Sequence, residues 1–203
     1  ELQDSKKVVV DSTVYQLSDL ATPATSLDSR NVGKKVALRG KYILTFRAPQ
    51  QTDLADRRSD WEVALMQVDQ TSAILVLRGY WKDRLVQPTV AMSTGVDLEA
   101  IVRPRQFEDV VANAPGVISR LDSSVIISQT DLDLYDGFLL ATSEKVSDGP
   151  ILRDRIELAP PESKVGGYYW QHISYVVIWW LMAVIVLYLP FYRKREESDK
   201  LGA

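Results

Sequence analysis

The sequence has no cysteine, and its 203 residues include a single histidine, His172. Without thiols there is no disulfide, no thiolate metal site and no thiol nucleophile, so whatever folds must be held by its own core. With no histidine before residue 172, the first part of the chain cannot assemble a Ser-His-Asp triad, a Cys-His dyad or the usual zinc site. Carboxylates are plentiful but none has a diagnostic spacing, so no catalytic residue and no metal site is expected, and the chain does not read as an enzyme. The three methionines, Met66, Met92 and Met182, are scattered, whereas Cu(I) carriers need clustered soft ligands. An excess of one charge is lacking too: 24 basic against 27 acidic side chains leave a net charge of −3, which offers no field for nucleic acid. What is present, 46% apolar and 25% charged residues, marks a folded chain long enough to bury a core without staples.

One stretch reverses this balance. Residues 165–192 contain no Asp, Glu, Lys or Arg, and 173–192 alone would make a helix of about 30 Å, the thickness of a bilayer core. Tyr168, Tyr169 and Trp170 border it on one side; Tyr188, Phe191 and Tyr192, followed by Arg193, Lys194 and Arg195, border it on the other. Aromatic belts and a basic border of this kind point to a transmembrane helix over 168–192 with a cytoplasmic tail, 193–203. The domain ahead of it is then extracytoplasmic, in the cell or inner membrane, joined through the linker 159–167.

That domain, 35–158 after a lead-in of 1–34, reads as all-β. Its candidate strands are KKVALRGKYILTF (34–46), WEVALMQV (61–68), SAILVLRGYW (72–81), GVDLEAIVRP (95–104), SSVIISQ (123–129), GFLLATSE (137–144) and ILRDRIEL (151–158). Seven short strands suggest a small barrel or sandwich, with 6–14 as a further edge strand and 18–33 as a short helix or loop. GVDLEAIV alternates most cleanly, with Val96, Leu98, Ala100 and Val102 on one face. In TDLDLYDGF (130–138) the acidic spacing fails the calcium-loop pattern, and Asp136-Gly137 reads as a turn between two strands. In LRGYW (77–81), Gly79 admits an unusual backbone angle, and the composition suggests a surface Arg78 followed by a core Trp81.

Taken in order, these pieces resemble the surfeit-locus family of cytochrome c oxidase assembly factors. Val36, Gly40 and Tyr42 match the pattern V-x-x-x-G-x-[FY] of an early strand. Val76, Leu77, Arg78, Gly79 and Trp81 are similar to the hallmark V-L-V-N-R-G-W, with Leu77 in place of the asparagine and Tyr80 inserted before Trp81. His172, Tyr175, Trp179 and Trp180 fall on the pattern that opens the family's closing membrane helix, N-x-H-x-x-Y-A-x-x-W-F, with Trp170 in place of the asparagine. Members also carry a first membrane helix ahead of the outer domain, and residues 1–53 contain no run long and apolar enough to be one.

The resemblance implies a non-catalytic role in assembly or stabilisation of a haem-copper oxidase, with transient haem a binding by His172. It puts partner contacts at Tyr175, Trp179, Trp180, Arg78 and Trp81, and oxidase subunits and the lipid bilayer among the partners. A resident accessory subunit of a respiratory supercomplex is the alternative. On the residues alone, His172 among tyrosines and tryptophans reads as an interfacial anchor or partner contact.

Overall fold

The apolar runs build one sheet that closes on itself. A computed structural model of the chain describes residues 13–86, 95–147, 149–160 and 172–188. Two compact units are separated, Glu1–Pro161 and Glu162–Ala203. In the first, the elements run β1 (Val14–Tyr15), α1 (Leu17–Leu20), β2 (Lys35–Thr52), β3 (Arg58–Gln67), β4 (Ser72–Tyr80), α2 (Trp81–Val86), β5 (Gly95–Arg103), β6 (Asp133–Val146) and β7 (Gly149–Pro150). The neighbour order is β1-β2-β3-β4-β6-β5, and β5 returns to pair with β2. Strands β2, β3, β4, β6 and β5 therefore form a closed barrel, which leaves no open edge between them. Its pairs are antiparallel except β4 with β6. Strand β1 lies parallel on β2 and β7 antiparallel on β6 as short additions.

Closure depends on β2, which is long enough to serve two neighbours. Its first half pairs with β5 from Lys35 to Lys41, and the rest pairs with β3 from Lys41 to Thr52. Between them Ile43 is the extra residue of a bulge. The bulge swaps the faces, so that Val36 and Tyr42 point inward while Phe46 and Ala48 belong to a second cluster outside. The inner cluster draws on all five barrel strands and is closed at one end by Leu17 and Leu20 of α1. The outer cluster sits on β2, β3, β4 and β6, beneath Ile118, Leu121, Ile126 and Ile156.

This two-sided burial explains the sequence pattern. Strand β4 is buried on both faces from Ser72 to Gly79, hence its continuous apolar run; β5 is buried on one face, hence its alternation. Each fully buried Leu or Val contributes about 1.5–3 kcal/mol relative to exposure. Trp61, 1% exposed, is the core tryptophan, and its indole N–H donates to Ser59 Oγ at 3.1 Å.

The domain is all-β with seven strands in one sheet, but two of the expected strands are not strands. Residues 123–129 form two 3-10 turns, Ser123–Val125 and Ile127–Gln129. The Asp122 carboxylate accepts from the Ser124 N–H and starts the first, a local bond that competes with sheet pairing. Residues 151–158 belong to no strand of the sheet, and their arginines turn toward buried carboxylates described below. Asp136-Gly137 is not a turn either, for it lies within β6, at a register shift against β4. Gly137 has φ +79°, and a Cβ there would run into the Arg103 carbonyl.

In the second unit, residues 172–188 are helical and exposed throughout. They are the described part of the span expected over 168–192, and among the described residues no helix is long and apolar enough to cross a membrane. The tail 193–203, most of the linker and most of the expected edge strand 6–14 lie outside the described residues.

Candidate functional site

The end of the barrel opposite α1 is built of charge. Strand β4 carries an extra residue against β3, since Gly79 faces Glu62 and Leu77 faces Val63. Arg78 is that residue, and the bulge aims it into the barrel beside Glu62. A second bulge, at Thr142 of β6, sets Glu144 opposite Leu98, a residue of the inner cluster. Unbroken alternation from Leu139 and Ala141 would have turned Ser143 inward and left Glu144 outside.

Arg78, Glu62 and Glu144 are each 1% exposed. Arg78 Nε donates to Glu144 Oε1 at 2.8 Å and Nη1 to Glu62 Oε1 at 3.0 Å. Its guanidinium stacks on the Tyr42 ring, 4.1 Å from the centroid, and the Tyr42 hydroxyl donates to the same Glu144 oxygen. Two further arginines come from the segment 151–160, outside the sheet. Arg155 Nη1 donates to Glu144 Oε2 at 2.7 Å and to the Arg78 carbonyl at 2.9 Å. Arg153 Nη1 lies 2.8 Å from Glu62 Oε2, and Nη2 donates to the Tyr80 carbonyl at 3.0 Å. Gly79 makes this crossing possible: a Cβ on it would sit 2.7 Å from Arg153 Nε and 2.8 Å from the Asp154 carbonyl oxygen.

The protonation states follow from this geometry. Burial alone would raise the Glu144 carboxyl, but Arg78, Arg155 and the Tyr42 hydroxyl reverse it and hold the group below its usual range. Burial would likewise lower Arg78, and Glu144, Tyr42 and Glu62 raise it instead. Burial and the neighbouring Glu144 charge push the Tyr42 phenol well above its ordinary value. Glu144 and Arg78 are thus both charged near neutral pH. Four buried polar atoms here have no hydrogen-bond partner: Arg78 Nη2, Arg153 Nε, Glu62 Oε2 and Asp83 Oδ2. The ion pair between Arg153 and Glu62 Oε2 is therefore close without being directed. The arrangement binds guanidinium groups and holds chain segments together.

The residues singled out by sequence fall in different places. Arg78 is inside the fold, not on its surface, where its side chain meets Glu62, Glu144 and Tyr42 and its carbonyl accepts from Arg155. Trp81 is not a core residue: the sheet ends at Tyr80, and Trp81 opens α2, half-buried, with the Arg84 guanidinium 5.0 Å from its ring. It borders an open cleft of about 620 Å³ with Tyr80, Lys82, Arg58 and Arg155. Tyr175, Trp179 and Trp180 are exposed by 54%, 74% and 71% on the helix of the second unit, whose first described residue is His172. Among the described residues no cluster of His, Cys, Asp or Glu could hold a metal ion.

Sequence reasoning missed Glu62, Glu144, Arg153 and Arg155. A lone glutamate within the apolar run WEVALM was a legible signal, since a charge in a two-sided buried strand needs a partner. Of the motif residues, Tyr42 stacks on Arg78, whereas Val36 lies toward the α1 end of β2, paired with Tyr15; a Cβ at Gly40, between them, would lie 2.7 Å from Met66 Cγ.

Fold and site thus define a small closed β-barrel sealed by ion pairs, followed by an exposed apolar helix. Its sequence matches the SURF1 family over residues 3–184, most of the chain, and the protein belongs to that family. Members are associated with cytochrome c oxidase assembly. No curated protein and no solved structure matches the chain.

Proposed function

We propose that this protein acts, without chemistry of its own, in the assembly or stabilisation of a haem-copper cytochrome c oxidase. In this reading a helix containing residues 172–188 anchors it in the membrane, with the barrel on the extracytoplasmic side and the tail in the cytoplasm. The observation that carries it is the extent of the family match, which runs through the barrel and into the helix. The exposed aliphatic and aromatic helix surface supports it, as does the basic sequence Arg193, Lys194, Arg195 beyond it.

His172, Tyr175 and Trp179 share one helix face by their spacing, and they are the residues we assign to contact with an oxidase subunit or with haem a. His172 is the one residue of this face that would hold a haem by its imidazole, because Met182 lies about 15 Å further along the helix. Bound haem would supply its own redox chemistry, and the chain would hold and orient it.

Purification of the tagged full chain in mild detergent tests the reading. Oxidase subunits are expected to copurify; their absence overturns it. A near one-to-one ratio would mark a resident accessory subunit, and a substoichiometric one a transient assembly factor. A Soret band that His172→Ala abolishes would establish haem handling, whereas a colourless protein whose oxidase copurification falls with the same substitution would establish packing alone.

A further inference from the structure

Residues 151–160 close the charged end of the barrel, yet little holds them there besides arginine. Of their apolar side chains Ile156 is buried at 4% exposure, while Leu152 is 76% exposed. Backbone bonds tie the segment at two points, from the Ile151 N–H to the Glu144 carbonyl at 2.9 Å and from the Leu54 N–H to the Glu157 carbonyl at 2.8 Å. The Arg103 guanidinium also donates to the Ala159 carbonyl. The arginines supply most of the remaining hold, Arg153 on Glu62 and the Tyr80 carbonyl and Arg155 on Glu144 and the Arg78 carbonyl, with Leu158 half-buried against the outer cluster and with Arg153 Nε and Glu62 Oε2 left without hydrogen bonds. A segment fastened by ion pairs with unsatisfied atoms, and with one fully buried apolar anchor, opens at lower cost than the sheet beneath it.

Lifting it leaves the socket intact in outline. Arg78 remains bonded to both glutamates and Arg84 stays 3.9 Å from Glu62, so the two carboxylates keep two guanidiniums of the four that face them with the segment in place. A charge-balanced socket, lined by the Gly79 notch, is exposed. We propose that residues 151–160 form a releasable clasp that sets the length of the tether between the barrel and the helix at 172–188. Opening the clasp frees residues 151–160, which add up to roughly 35 Å of reach at full extension. The inference rests on the reading of that helix as a membrane anchor for its use, but not for its detection. A barrel held short and then released can follow a partner whose distance from the membrane changes during assembly. The Arg78-Gly79 pair is then a receptacle for the clasp, Arg78 by fixing the two carboxylates and Gly79 by giving it room.

The test uses the full chain and limited trypsin digestion, with cleavage after Arg155 quantified by mass spectrometry. That bond is protected while the clasp is closed. Arg153→Gln should speed its cleavage about ten-fold or more, the mark of a local opening made more frequent, while near-ultraviolet dichroism of the barrel stays unchanged. The cysteine-free sequence permits a lock: Leu54→Cys with Glu157→Cys, at the backbone-bonded pair, should form a disulfide that returns the Arg153→Gln rate to that of wild type. Cleavage of Arg153→Gln within two-fold of wild type overturns the proposal, as does rapid cleavage with the disulfide closed. Loss of the barrel's dichroism together with cleavage also overturns it, since 151–160 would then be a fixed part of the core. Failure of the membrane reading shows elsewhere, as accessibility of the tail after Tyr192 to external protease in intact cells.

Discussion

The two ends of the barrel solve the same problem with opposite chemistry. At one, Leu17 and Leu20 of a single helical turn cover an inner cluster of aliphatic side chains with Met66 and two tyrosines, and no charged residue belongs to that cluster among the described residues. At the other, a tyrosine, three arginines and two glutamates fill the space, and a segment outside the sheet supplies two of the arginines. The apolar end is non-directional and tolerant, so any side chain of similar size contributes. The charged end is specific, because each ion is acceptable only with its partner in place. Specificity is therefore concentrated where the chain leaves the barrel, which is also where the family's motif residues Tyr42, Arg78 and Gly79 meet.

Substitutions sharpen the contrast, and the largest effect belongs to the charged end. Arg78→Met leaves Glu62 and Glu144 facing each other in the barrel and should cost about 3–5 kcal/mol in urea unfolding. A loss under 1 kcal/mol would show that the network relaxes by taking up solvent. Leu98→Ala, in the inner cluster, should cost about 2–5 kcal/mol through lost burial and a cavity, without changing the response to pH.

Acid should then separate the ends. The folded Glu144 carboxyl lies below its ordinary 4.5, so the stability it contributes is present above that pH and is lost as pH falls through the folded value. Unfolding midpoints measured from pH 7 to pH 3 should fall less steeply in Glu144→Gln than in wild type, whereas Leu98→Ala should keep the wild-type slope. Equal slopes in all three would place the acid sensitivity on surface groups such as Asp28 and Asp69, both lowered to about 2 by local hydrogen bonds. The smallest effect is expected at Leu152→Ser, within about 0.5 kcal/mol, because that exposed leucine contributes nothing to holding its segment.

How far the sequence could be read depended on how long alternation survived. Val96 to Val102 alternate without interruption, and β5 was legible residue by residue. Strand β4 was legible as a strand but not by face, since burial on both sides erases the period. At Ile43, Arg78 and Thr142 one extra residue reverses inward and outward, and nothing local announces it. That is why Glu144 went unseen and why Arg78 and Trp81 exchanged their expected environments. The 3-10 turns at 123–129 were misread because apolar Val and Ile outweighed the capping chemistry of Asp122 and Ser124. Pairings between distant arginines and glutamates belong to tertiary structure, and composition alone could not join Arg155 to Glu144.

The parallel pairing of β4 with β6 carries a consequence for the order of events in folding. Strands β2, β3 and β4 can form a meander from local contacts as soon as they are made, and Arg78 finds Glu62 only sixteen positions back in the chain. Its other carboxylate, Glu144, is sixty-six positions ahead, and the bond from the Tyr42 hydroxyl to that same Glu144 spans 102. Closure is therefore a late, non-local step, delayed by the entropy of a long loop. Until β6 arrives, the outer edge of β4 is an unpaired apolar strand on a nascent chain, the kind of surface that chaperones recognise. The last residues of the barrel domain to be synthesised are those that bring Arg153 and Arg155 to the finished socket.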